Sequence, residues 1–200
     1  MIAIIDYGAG NLRSVANAFR SLGANIACID QPETLAQADK VVLPGVGAFG
    51  AGMEALRSAG FVEPLREVAK QGKPLLGICL GLQYLFESSN EMGHHEGLGL
   101  LKGTVTRFPD GELKVPHIGW NQLDQVREHR LLAGLPNDPY AYFVHSYYVE
   151  PADPADVIAT TDYGIPFVSV AGRDNIIGIQ CHPEKSQSVG LRFLNNFLAW

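Results

Sequence analysis

Short apolar runs alternate with helix-period segments through the first half of the chain. Ile2 to Asp6 is an isoleucine-rich run of strand length. Asn11 to Leu22 sets Leu12, Val15, Ala16 and Phe19 at helical spacing, and Gly23 stops it. Ala24 to Ile29, Lys40 to Leu43 and Pro74 to Ile78 read as further strands. Met53 to Gln71 reads as helix, in two pieces on account of Pro64, and Leu80 to Glu87 as another helix. Strand–helix alternation of this kind predicts an α/β fold with a mainly parallel central sheet flanked by helices.

The pattern changes after Glu91. Residues 98–170 are rich in turn formers and carry short strand patterns at Gly103 to Phe108, Ala141 to Val149 and Asp156 to Thr161. Ile176 to Gln180 is one more apolar strand. Leu191 to Leu198 closes the chain as an amphipathic helix, with Leu191, Leu194 and Leu198 on the apolar face and Asn195 off it. No repeat, low-complexity tract or linker interrupts the sequence. The expectation is one α/β domain over residues 1–200 with a β-rich second half.

Composition narrows the function classes. The 200 residues are 46% hydrophobic and 18% charged, ordinary for a folded protein and too apolar for a disordered one. A net charge of −6 leaves no electrostatic footprint for nucleic acid or an anionic membrane. A small molecule or a protein partner is the better expectation. The three cysteines, Cys28, Cys79 and Cys181, are odd in number and widely spaced. They read as free thiols in a reducing, cytoplasmic compartment rather than as a disulfide framework. No signal peptide is visible before Asp6, and no apolar run approaches the ~20 residues that span a bilayer.

The densest chemistry lies in Pro74-Leu75-Leu76-Gly77-Ile78-Cys79-Leu80-Gly81. A buried strand runs into a helix, with Cys79 at the junction and glycine two residues to either side. This is the nucleophile-elbow pattern with Cys in place of Ser. The sharp turn leaves no room for side chains at positions 77 and 81. The N–H of Leu80 faces an oxyanion, and the positive end of the helix favours an anion. A small buried hydrophobe is the competing reading for any free cysteine. It suits Cys28, which sits in a plain apolar strand and is assigned to the core.

A thiol nucleophile needs a base, and the base needs a group to fix its tautomer. Cys181-His182-Pro183-Glu184 supplies both after the strand Ile176 to Gln180. In extended chain, residues two apart share a side, so His182 and Glu184 can meet, Pro183 stiffens that conformation and Cys181 faces away. His94 and His95 are adjacent and have no ligand spacing around them, so no metal is expected. His129 sits in a charged run and reads as solvated. His117 and His145 read as structural or site-lining.

An elbow of this kind followed about a hundred residues later by His-Pro-Glu resembles the class I (triad) glutamine amidotransferases, a flavodoxin-like α/β family. The resemblance covers nearly the whole chain. Asp6-Tyr7-Gly8-Ala9-Gly10-Asn11-Leu12-Arg13-Ser14-Val15, Leu43-Pro44-Gly45-Val46-Gly47-Ala48-Phe49, Pro116-His117-Ile118-Gly119-Trp120-Asn121 and Tyr142-Phe143-Val144-His145-Ser146-Tyr147-Tyr148 are similar to the members that serve histidine biosynthesis as separate glutaminase subunits. The resemblance implies a Cys79–His182–Glu184 triad with no cofactor. It implies an oxyanion hole from Leu80 and the Val46–Gly47 loop, whose peptide must reorient before it can donate. Gly45, Gln83, Glu91, His145, Ser146 and Tyr147 would hold L-glutamine. Trp120, Asn121, Tyr142 and Lys185 would face a (βα)8-barrel synthase subunit in a heterodimer.

Other readings stay open at the level of sequence. The glutaminase could serve a synthase for pyridoxal phosphate, anthranilate or guanylate, the triad could belong to a cysteine peptidase, or the site could be dead in a regulatory protein. Gly8-Ala9-Gly10 with Asp30 resembles a dinucleotide fingerprint. Arg13 occupies its third glycine position and would block the pyrophosphate, so the Gly8 to Asn11 loop is expected near the site mouth or the partner instead.

Overall fold

In a computed structural model of the chain, which describes residues 1–111 and 113–200, the alternating first half becomes β1 (Ile2–Ile5), α1 (Leu12–Ser21), β2 (Ile26–Ile29), β3 (Lys40–Gly45), α2 (Phe49–Ser58), α3 (Val62–Lys70), β4 (Leu75–Cys79) and α4 (Leu80–Tyr84). The second half adds β5 (Ser88–Ser89), β6 (His95–Glu96), β7 (Gly103–Arg107), β8 (His117–Gln122), β9 (Asp124–Gln125), β10 (Tyr140–His145), β11 (Tyr147–Pro151), β12 (Val157–Asp162), β13 (Pro166–Arg173), β14 (Ile176–Ile179) and α5 (Gln187–Leu198). Strands β2, β1, β3, β4 and β14 lie side by side in that order and run parallel. The antiparallel strands β13, β11 and β7 continue the sheet. Strands β8 and β10 form a separate antiparallel pair.

Apolar side chains alternate across β1, and each set meets different helices. Ile2 and Ile4 pack in one cluster with Val15 and Phe19 of α1 and Phe193 and Phe197 of α5. Ala3 and Ile5 pack in the other with Met53 and Leu56 of α2 and Leu65 and Val68 of α3. The sheet is thus covered on both faces, which is why its parallel strands read as continuous apolar runs.

Register sets the site. β4 lies between β3 and β14, with Gly45 level with Cys79 on one side and Ile179 level with Ile78 on the other. One residue further along, that register brings Gln180 level with Cys79. Three chain segments therefore leave the carboxyl edge of neighbouring parallel strands around one cysteine, the edge at which open α/β sheets bind ligands.

Several elements differ from expectation. The long helical pattern begins earlier, at Phe49, and breaks at residues 59–61 rather than at Pro64. Pro64 sits in the first turn of α3, where its missing N–H has no partner to lose. The helix after Cys79 ends at Tyr84, and the expected strand from Ala141 to Val149 is two strands parted at Ser146. Cys28 is exposed, not core, because β2 is the outermost strand and its outer flank is uncovered. On α5 the buried stripe is Val189, Gly190, Phe193, Leu194 and Phe197, and Leu191 faces solvent. The two phenylalanines, one turn apart, take the inner face and rotate it away from Leu191. His129 is half buried rather than solvated: it caps a short turn by accepting from the Leu131 N–H and packs against Trp200. No helix among the described residues is long and apolar enough to cross a membrane.

Candidate active site

Cys79 stands at the end of β4 with φ 56° and ψ −111°, a conformation that disfavours any side chain. The surrounding backbone enforces it. A Cβ at position 77 would lie 2.5 Å from the Gly81 carbonyl oxygen, as the elbow predicts. A Cβ at position 81 would lie 1.8 Å from the Leu43 carbonyl oxygen, so the second glycine is needed against β3 rather than against Gly77 or a ligand. Strain of this kind, of order 1–3 kcal/mol, persists where a fold over-determines it, and functional sites are where it collects.

His182 and Glu184 meet through Nδ1 and Oε1 at 2.9 Å, and both side chains are almost fully buried. They do not meet in extended chain. Residues Pro183–Lys185 form a 3-10 turn that folds Glu184 back under the imidazole. The His182 N–H donates to the Tyr142 carbonyl, and Ser186 Oγ donates to the His182 carbonyl, so both sides of that residue's backbone are tied down. Burial pulls the His182 pKa down, but the hydrogen bonds and charges of Cys79 and Glu184 outweigh it and push the pKa up to about 10. Among the described residues its other ring nitrogen, Nε2, is buried without a well-formed partner. That leaves it for a proton shared with Cys79 Sγ or a ligand in the cleft. Asn11 Nδ2 also donates to Glu184 Oε1, at 3.4 Å, which brings the Gly8 to Asn11 loop to the site.

A cleft of about 520 Å³ opens over these groups. Cys79, Leu80 and His182 line it, with Val46 and Gly47 of the loop after β3 and with Gln83 and Glu91. His145, Ser146 and Tyr147 also line it. The loop is held at both ends. The Tyr7 hydroxyl donates to the Pro44 carbonyl at 3.0 Å, and the Phe49 N–H donates to Glu91 Oε2 at 2.6 Å. Between these anchors Val46 is exposed and Gly47 takes φ 98°, open to glycine and costly to other residues.

Around the Tyr147 carbonyl the hydrogen bonds have a fixed direction. The Tyr147 carbonyl can only accept, and it takes His145 Nδ1–H at 2.8 Å and Gln83 Nε2–H at 3.0 Å. His145 Nε2 then accepts from His117 Nδ1–H at 3.1 Å, and His117 Nε2 accepts from Asn121 at 3.3 Å. Burial holds both imidazoles neutral, with pKa values pushed down to about 3 for His145 and about 4 for His117.

Of the residues assigned to a partner surface, three lie together. Trp120 and Tyr142 pack edge to face at 6.2 Å, and Lys185 Nζ lies 5.6 Å from the Tyr142 ring centroid. Ile118 and Tyr140 extend this exposed face. Asn121 does not join it, because its amide turns inward to His117 and to the Asp162 carbonyl. Cys181 is fully buried and lies in the core. Sequence reasoning missed Gln180, fully buried with Nε2 3.7 Å from Cys79 Sγ. The one signal was a glutamine ending an apolar strand just before His182. It also missed the roles of Tyr7 and Asn11, although both stand in a segment singled out by its pattern.

Residues 3–200 match the glutamine amidotransferase class-I family. The chain is 54% identical to the imidazole glycerol phosphate synthase subunit HisH of Syntrophotalea carbinolica, over 98% of each chain. It is 52% identical to the subunit of the same name from Desulfitobacterium hafniense, over all of this chain and 94% of the relative. Among solved structures, PurLQS from Thermotoga maritima superposes with a TM-score of 0.80 at 18% identity, over 99% of this chain and 97% of the other, a likeness of fold.

Proposed function

The chain belongs to the class I glutamine amidotransferases, and from that premise we propose that Cys79, His182 and Glu184 hydrolyse glutamine in the cleft above β4. The chain acts as the glutaminase subunit of an imidazole glycerol phosphate synthase in histidine biosynthesis. The observation that carries the residue assignment is the 2.9 Å contact of His182 with Glu184 beside the strained Cys79, at the foot of one cleft.

The chemistry is acyl transfer. The Cys79 thiolate adds to the side-chain amide carbon of glutamine, and the carbonyl oxygen becomes an oxyanion. The Leu80 N–H and a peptide N–H of the Val46–Gly47 loop receive it; one such donor is worth ~3 kcal/mol. The His182 imidazolium gives its proton to the departing ammonia, leaving a glutamyl thioester on Sγ. Neutral His182 then takes a proton from water, which attacks the thioester, and glutamate leaves as the thiolate returns. Glu184 holds the imidazole on one tautomer and stabilises its charged form.

Both hydrogens of the Gln83 amide are engaged, by Tyr147 and Gln180, so only its oxygen remains for a ligand. It therefore suits the α-ammonium of glutamine, as does the free oxygen of Glu91, whose other oxygen caps α2. The Trp120–Tyr142–Lys185 face, continued by Ile118 and Tyr140, is the surface we assign to the barrel subunit. We place the heterodimer in the cytoplasm, with ammonia passing across this face.

The test separates the two half-reactions. A Cys79→Ala chain assembled with its synthase partner should lose glutamine-dependent synthesis and keep synthesis from ammonium salts. Glutaminase activity within tenfold of wild type would remove Cys79 from the mechanism.

A further inference from the structure

We propose that Gln180 is a fourth catalytic side chain, an amide donor aimed at Cys79 Sγ by a hydrogen-bond chain whose direction a single carbonyl dictates. The inference rests on Cys79 being the nucleophile of the proposed reaction.

The amide of Gln180 is fully buried, and its Nε2 lies 3.7 Å from Sγ. An amide can be turned end for end, so the distance alone does not say whether nitrogen or oxygen faces the sulfur. The neighbours decide it. The Tyr147 carbonyl accepts only, so Gln83 must turn its nitrogen toward it, at 3.0 Å. The same nitrogen lies 3.2 Å from the Gln180 amide. Two NH2 groups cannot face each other there, so Gln180 must present its oxygen to Gln83. Its nitrogen is left for Cys79. Reversing Gln180 would place a carbonyl oxygen against the thiolate and leave the Gln83 hydrogen without an acceptor.

The backbone keeps the donor in place. β14 and β4 run parallel with Ile179 level with Ile78, so Gln180 comes level with Cys79 as each chain leaves the sheet. The Gln180 N–H donates to the Ser169 carbonyl at 2.8 Å, which fixes where the side chain starts. On the opposite flank Gly45 of β3 carries no side chain that could do the same. The helix that follows Cys79 is only five residues long, so its dipole supplies a weak field at the sulfur. Gln180 is the neutral donor that makes up for it.

The donor acts twice in the cycle. Before addition it donates to the sulfur as negative charge gathers there beside His182. After water adds to the thioester, the C–S bond breaks and the electron pair returns to sulfur, and the same N–H receives the departing thiolate. No proton leaves Gln180 in either step. A hydrogen bond to a charged group is worth roughly a factor of ten or more. Stabilising a thiolate also lowers its nucleophilicity, with about half the gain offset. Removing the donor should therefore slow reaction at Sγ by about three- to tenfold, and should slow deacylation as well.

Two variants test this. Gln180→Met keeps the length and loses the donor; Gln180→Asn keeps an amide but draws it back by one methylene. In each, the rate of Cys79 alkylation by iodoacetamide at neutral pH should fall about three- to tenfold. The kcat for glutamine should fall at least as far, with KM within twofold. Synthesis from ammonium salts by the complex, which does not use Cys79, reports that the variant has folded and docked. A folded variant of either kind that is alkylated and turns over at the wild-type rate overturns the proposal. A matched rise in KM without a fall in alkylation would make Gln180 a structural support for the cleft wall. If alkylating Cys79 in the wild-type chain left glutamine hydrolysis intact, the nucleophile assignment itself would fail, whatever Gln180 does.

Discussion

At the scale of the residue, Cys79 occupies backbone geometry that suits glycine, at φ 56° and ψ −111°. Cys79→Ala and Cys79→Gly both delete the thiol, but only the second relieves the strain. The glycine chain should therefore unfold at higher denaturant than the alanine chain, by about 1 kcal/mol even after glycine's extra chain entropy. Equal stability, or a less stable glycine variant, would mean the elbow stores no strain. Both proteins should be inactive toward glutamine. Cys79, His182 and Glu184, the residues we propose as nucleophile, base and orienting carboxylate, stood out in the sequence because each sits in a short motif, and the structure brings His182 to Glu184 and both Cys79 and His182 to one cleft. Gln180 and Asn11 did not stand out. Gln180 reaches Cys79 only through the pairing of β14 with β4, and Asn11 reaches Glu184 only once the loop after β1 lies over the same sheet edge. Nothing within a few residues of either position encodes that distance.

At the scale of the element, the existence and type of the main strands and helices followed from periodicity, while faces and breaks depended on packing. α5 shows the difference. A leucine stripe was expected inside, but Phe193 and Phe197 fill the groove against Phe19 and Leu191 is exposed. Phe193→Ala should cost about 3–5 kcal/mol in unfolding free energy as a core cavity, against less than about 0.5 kcal/mol for Leu191→Ala at the surface. The reverse order would restore the leucine face. The edge position of β2 explains exposed Cys28 in the same way: strand order, which local pattern does not carry, decides which apolar strand is covered. The loop after β3 is the other informative element. Its anchors, Tyr7 on the Pro44 carbonyl and Glu91 on the Phe49 N–H, confine any rotation to the peptides between Gly45 and Ala48.

At the scale of the whole molecule, the face of Trp120, Tyr142 and Lys185 and the triad share a support. β10 carries Tyr142, and its carbonyl accepts from the His182 N–H. Its N–H donates to Ser186 Oγ. Were the proposed synthase subunit to seat on that face, it could move His182 and reach the cleft wall through these two bonds. We expect the free chain to be a poor glutaminase. Partner and synthase ligand together should raise kcat on the order of a hundredfold by setting the loop N–H toward the oxyanion. The glutamine KM should change little, because that donor acts only in the transition state. Full activity in the free chain would remove the switch and leave the triad standing. That Cys79 is the nucleophile for glutamine is tested most directly by stoichiometric labelling with an electrophilic diazo-ketone analogue of glutamine, followed by peptide mass mapping. One adduct per chain is expected, on Cys79, prevented by glutamine and matched by loss of ammonia release. Label on exposed Cys28 in place of Cys79, or ammonia release that persists after Cys79 is fully labelled, would contradict it.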